Sequence, residues 1–155
     1  MSSFRLVEDG VFIGPQPTPQ DLEDARLQGV KTVIDFRLPS ETATSNETLV
    51  RSHELEYESI PVNKAMLSFN QIGELDAAMQ SKPGPFLVHC ATGLRAALLL
   101  ALSKAKKNGW SAEQTFAHAQ AMGFDLRTSP AYSNFVHQAV GNARQVDQSI
   151  SPEGI

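Results

Sequence analysis

Phe86-Leu87-Val88-His89, followed at once by Cys90-Ala91-Thr92-Gly93-Leu94-Arg95, is the stretch that decides the fold. Its first four residues form a short apolar run of strand length. The run feeds into a glycine-bearing loop, and from Leu94 to about Lys107 apolar residues recur at helical spacing. Gly109 and the lysines of the last turn mark that helix's end. Strand, tight loop and helix in direct succession form the unit of layered α/β sheets. Ligands in such sheets sit at the carboxyl ends of strands, and Cys90 stands at one of them.

The alternation continues upstream. Short strands are expected near Arg5–Val7 and Val11–Ile13, joined by a turn at Asp9-Gly10. Thr18 and Pro19 open a helix that runs to about Leu27 and stops at Gly29. Thr32 to Phe36 is a β-branched strand; a polar stretch, Leu38 to Asn46, and a short helix to about His53 follow. Leu55 to Ile60 alternates as another strand, and Ser68 with Gln71 has capping-box spacing before a helix to about Met79. Beyond the cysteine helix only helices remain: one boxed by Ser111 and Gln114 and stopped by Gly123, and one opened by Ser129-Pro130 to about Asn142. The expected architecture is α/β: a central, mostly parallel sheet flanked by helices, with a helical C-terminal part. Residues 1–143 are expected to form one domain and 144–155 a flexible tail.

A chain of 155 residues buries about two-thirds of its unfolded surface. With 41% hydrophobic and 19% charged residues it has no disordered character, and a formal charge of −4 gives no reason to bind nucleic acid or an anionic membrane. The longest apolar run, Ala96 to Leu102, is too short to span a membrane, and the N-terminus lacks the layout of a signal peptide. One cysteine excludes an intramolecular disulfide and points to the cytoplasm. His53, His89, His118 and His137 are scattered, so neither metal nor other cofactor is expected.

The chemistry concentrates in the loop. The first turn of a helix presents free N–H groups and partial positive charge, which makes a loop wrapping into it an anion site. Gly93 permits the backbone angle that turns successive N–H groups inward, and Arg95 adds a planar fork that matches two oxygens of a phosphate. The backbone of Ala91, Thr92, Gly93, Leu94 and Ala96 would complete the cradle, with Cys90 as nucleophile beneath it. An inert buried thiol would account for the cysteine alone, but not for Gly93, Arg95 and His89 around it. His89 is expected to orient the loop from a buried position. Arg37 and Glu41 follow a strand end on the ligand side, where they could touch substrate or pin the loop as an ion pair. Trp110 and Phe116 are expected to fill core between the C-terminal helices.

His89 to Arg95 resembles the signature of cysteine-dependent phosphatases of the tyrosine and dual-specificity types. Their loop normally has one residue more between Cys and Arg. The four-residue spacing here is that of the phosphatase-like domain of the beta-lactamase-hydrolase-like family, and also of rhodanese sulfurtransferases. Gly14 to Leu22, Gly29 to Arg37 with Glu41, Tyr57 to Val62, and Gly123 to Leu126 are similar to the former family, so the resemblance covers roughly residues 4 to 140. It implies hydrolysis of phosphate monoesters, in a phosphorylated small molecule or phosphoprotein, through a thiophosphate on Cys90 with Arg95 holding the oxygens. Ala96 stands where the family pattern places Ser or Thr. Asn63-Lys64 stands where dual-specificity enzymes carry a general-acid Asp. Asp125, Glu41 or Glu74 could replace that acid, or serve only as surface or capping residues. Two alternatives follow: a rhodanese-like sulfurtransferase with a persulfide on Cys90, and a catalytically degenerate phosphate-binding protein.

Overall fold

The computed structural model describes residues 3–8, 10–41 and 46–149. Among these residues five strands form one sheet: β1 (Arg5–Glu8), β2 (Val11–Gly14), β3 (Thr32–Asp35), β4 (Glu56–Ser59) and β5 (Phe86–His89), in the order β1-β2-β5-β3-β4. Only β1 runs antiparallel to its neighbour; the other pairings are parallel, with Asp35 and Gly14 both opposite His89. β5, the strand that carries the cysteine, therefore lies at the centre.

Among the described residues six helices cover the sheet: α1 (Pro19–Leu27), α2 (Asn46–Ser52), α3 (Asn70–Ser81), α4 (Leu94–Asn108), α5 (Ala112–Ala121) and α6 (Pro130–Ser149). α1 begins in a complete capping box between Thr18 and Asp21, and α5 in another between Ser111 and Gln114. At α3 the expected box forms by half: Gln71 accepts from the Ser68 N–H, but the Ser68 hydroxyl takes the Asn70 N–H instead. The last helix continues to Ser149, beyond the end expected near Asn142. Short 3-10 turns at Pro39–Glu41 and Leu126–Thr128 were not foreseen. Asp9 of the expected first turn, residues 42–45 of the polar stretch and residues 150–155 lie outside the described residues.

Strand alternation divides the interior into two cores. Val33 and Leu87 point into a smaller one with Leu22, Ala25 and Val50 of α1 and α2. Ile13, Ile34 and Val88 point into a larger one against α3 to α6. Its centre is α4, whose run Ala96 to Leu102 is buried nearly all round because sheet, α3, α5 and α6 pack about it. Each fully buried leucine there contributes about 1.5–3 kcal/mol. Phe116 joins this core, whereas Trp110 is half-buried with its ring tilted against His118. A rigid strand and a helix fixed through its apolar flanks thus hold the two ends of the cysteine loop.

Candidate active site

β5 ends at His89, where its carbonyl accepts the Phe36 N–H at 2.9 Å, and the chain turns into the loop. Cys90 is fully buried, its sulfur pointing towards the larger core. The Gly93 N–H reaches Cys90 Sγ at 3.0 Å, so the loop closes on its own thiol at the N-terminus of α4. Gly93 has φ 105°, and a Cβ there would stand 2.6 Å from the Phe124 ring. Both facts call for glycine. Ala91 and Thr92 are exposed at the rim, Leu94 is half-buried, and the Ala96 methyl is buried in the core beneath the first helical turn.

Arg95 turns its fork onto Glu41. Nη1 and Nη2 each donate to one carboxylate oxygen at 2.6 Å, and Nη1 also donates to the Val62 carbonyl at 3.1 Å. These hydrogen bonds hold Glu41 below the usual carboxylate range and push Arg95 further up. Leu38 N–H anchors the same carboxylate at 2.9 Å. The structure therefore joins Arg95 and Glu41, although 54 positions separate them in the chain.

Arg37 does not meet Glu41 through a hydrogen bond. It folds back onto Asp35, donating from its backbone N–H at 2.9 Å, from Nε at 3.1 Å and from Nη2 at 3.0 Å. Tyr57 donates at 2.8 Å to Asp35 Oδ2, the oxygen that also accepts Arg37 Nη2. Burial raises Asp35, but the Arg37 and Tyr57 hydrogen bonds and the neighbouring His89 outweigh it and leave the carboxyl below its ordinary value. Arg37 Nη1 is buried with no hydrogen-bond partner. His89 sits above this pair, fully buried, with Nε2 at 3.2 Å from the Asn46 amide and Nδ1 at 3.3 Å from the Cys90 carbonyl. With the Asn46 nitrogen donating, the His89 proton lies on Nδ1 and points at the cysteine's own backbone. Burial pushes this imidazole down to about 4, so it is neutral.

The acid candidates separate. Asn63 Oδ1 accepts the Ala65 N–H at 2.9 Å in a local turn, and Lys64 lies over the Tyr132 ring at 5.4 Å. Asp125 is exposed and accepts the Arg127 N–H at 2.9 Å, capping the 3-10 turn beyond Phe124. Glu74 is exposed on α3. Sequence reasoning missed Asn46, Tyr57, the Val62 carbonyl and Tyr132, a buried tyrosine raised by burial and influenced by Arg95, Cys90 and Glu41. Nothing local to the chain singles these residues out, because each acts on a distant segment. Among the described residues no group of His, Cys, Asp and Glu could hold a metal ion, and no helix is long and apolar enough to cross a membrane.

A five-stranded, mostly parallel sheet with this cysteine loop at its carboxyl edge defines a cysteine-phosphatase-like α/β protein. A phosphatase-class protein of Neisseria meningitidis superposes with a TM-score of 0.74 at 21% identity, over 90% of this chain and 99% of that one. TpbA of P. aeruginosa, crystallised with pTyr, gives 0.72 at 20%, over 93% and 89%. Residues 3–107 match the family described as Beta-lactamase hydrolase-like protein, phosphatase-like domain, and the chain belongs to it. The Beta-lactamase hydrolase-like protein of Xylella fastidiosa (strain Temecula1) is 26% identical over 125 residues. That match covers 77% of this chain and 29% of the relative, so the chain spans less than a third of its curated relatives.

Proposed function

We propose that the protein is a cysteine-dependent hydrolase of phosphate monoesters, acting best on aryl or tyrosine-type esters. One observation carries the reading: a buried cysteine sulfur receives the Gly93 N–H at 3.0 Å at the foot of α4, with Arg95 in the first turn of that helix. The Cys90 thiolate attacks phosphorus, the ester oxygen leaves, and water then cleaves the thiophosphate and returns the thiolate. Loop N–H groups and Arg95 stabilise the equatorial oxygens in both steps. His89, Arg37 and Asp35 position the loop from beneath. TpbA's complex with pTyr supports the aryl preference. So does Asn63, an amide held in a turn where a proton donor would be needed. General acid catalysis is worth about 10²–10⁴ in rate. Nitrophenyl phosphate should therefore turn over at least about a hundredfold faster than phenyl phosphate, and Cys90→Ser should abolish both; equal rates on the two esters would refute the missing acid.

Residues 1–143 act as the catalytic unit in this proposal, and the single cysteine supports the reducing cytoplasm as its place of action.

A second reading has its own support. The loop holds four residues between Cys90 and Arg95, and Ala96 puts a methyl in the core where a hydroxyl would assist a thiolate leaving group. Sulfur transfer needs neither that hydroxyl nor an acid: the sulfane sulfur of thiosulfate passes to Cys90 Sγ, sulfite leaves, and cyanide removes the sulfur as thiocyanate. Intact mass after incubation separates the cases, since thiosulfate would add one sulfur and an aryl phosphate one phosphoryl group. Anion binding with neither adduct would mark a phosphate-binding protein.

A further inference from the structure

The antiparallel direction of β1 has a functional result. Arg5 is opposite Ile13, and Ile13 is opposite Val88, so the first residue of β1 lies at the carboxyl end of the parallel strands. Paired residues share a face of the sheet, and Ile13, Val88 and Cys90 all belong to the larger core. Arg5 therefore lies at the same end and on the same face as the cysteine. Two strand spacings put it about 10 Å to the side.

Beside Arg5 is an open groove of about 420 Å³ lined by Ser3, Phe4, Arg5, Ile13 and Met122 to Phe124. Phe124 forms the wall it shares with the loop, since a Cβ on Gly93 would strike that ring. On the other side, Gly123 at φ 100° lets the Arg5 guanidinium lie against bare backbone; a Cβ there would be 2.6 Å from Arg5 Nη1. The Arg5 side chain is exposed and makes no hydrogen bond or ion pair among the described residues. Its charge is thus unspent, one aromatic ring away from the anion cradle, in a chain of net charge −4.

We propose that this groove is a second anion subsite: Arg5 binds an anionic group carried by the same molecule whose phosphoryl group occupies the Cys90–Arg95 loop. The inference rests on the phosphate reading of that loop and adds a substrate class, monoesters bearing a second anion about one aromatic ring from the first.

N-acetyl-phosphotyrosine and its C-terminal amide differ only in the carboxylate, and calorimetric titration into Cys90→Ser protein isolates binding from turnover. The acid should bind about fivefold tighter than the amide, the upper end for a solvent-exposed ion pair. Adding Arg5→Ala or Arg5→Gln should bring the ratio to about one, while Arg26→Ala, on α1 across the sheet, should keep it. Equal binding of acid and amide before Arg5 is replaced, a ratio that survives its replacement, or no binding of either overturns the subsite. Hydrolysis by the native protein is read separately. An acid preference in binding without hydrolysis keeps the subsite and refutes the phosphatase; hydrolysis without the preference does the reverse.

Discussion

Replacing Glu41 by Gln tests whether this carboxylate competes with an incoming oxyanion for Arg95. Both Nη atoms of the Arg95 guanidinium are engaged at 2.6 Å, the arrangement two phosphate oxygens would need. Two unit charges about 4 Å apart attract by about 4 kcal/mol at an effective dielectric near 20. The Glu41 side chain is 27% exposed, however, and solvent screening limits such pairs to about 1 kcal/mol net. Since about 1.4 kcal/mol is tenfold, Glu41→Gln should tighten oxyanion binding about fivefold. Sulfate is the suitable probe because it stays a dianion through the mildly acidic range, and its binding can be followed by calorimetry. The pH dependence carries a second signature. Glu41 titrates below its ordinary value, so the native ion pair persists until the pH falls through that lowered value. Sulfate affinity should then rise in the native protein and stay level in Glu41→Gln. Weaker sulfate binding in the variant would refute the competition and show that Glu41 holds Arg95 in place for the anion.

Gly93→Ala should destabilise the fold by about 2 kcal/mol through the left-handed backbone and the Phe124 contact. A Tm lower by roughly 6 °C in a thermal melt would correspond to that loss; an unchanged Tm would contradict the loop path. Asp35→Asn leaves the Arg37 guanidinium buried without its counter-charge, and urea unfolding should register about 3–5 kcal/mol. A loss under 1 kcal/mol would mean that the network relaxes. His89 has a folded value of about 4 against 6.5 when unfolded, so its contribution is complete above 6.5 and declines as the pH falls towards 4, by up to about 3 kcal/mol. His89→Gln should remove that slope from the urea midpoints between those pH values.

The local grammar of the chain was legible almost throughout. Thr18, Ser111, Gly29 and Gly109 mark helix ends by chemistry confined to a few neighbours, and the structure places the ends there. Ser68 shows the limit, since its hydroxyl chose the nearer Asn70 N–H. The Cys90 loop was legible because strand, glycine and arginine are contiguous. Its surroundings were not, because Asn46 meets His89 across 43 positions and Tyr57 meets Asp35 across 22. Such pairings are made by the order of parallel strands, which no short window of sequence contains.

Cys90 is the chain's single cysteine and is buried where β5 meets α4. Every thiol in a preparation is therefore a candidate nucleophile, and no other sulfhydryl dilutes the count. On the proposed mechanism, a small electrophile that enters the anion cradle titrates competent molecules in the native protein directly. The same reagent added after unfolding gives the total, and the ratio of the two is the fraction of the sample in which the centre is correctly assembled.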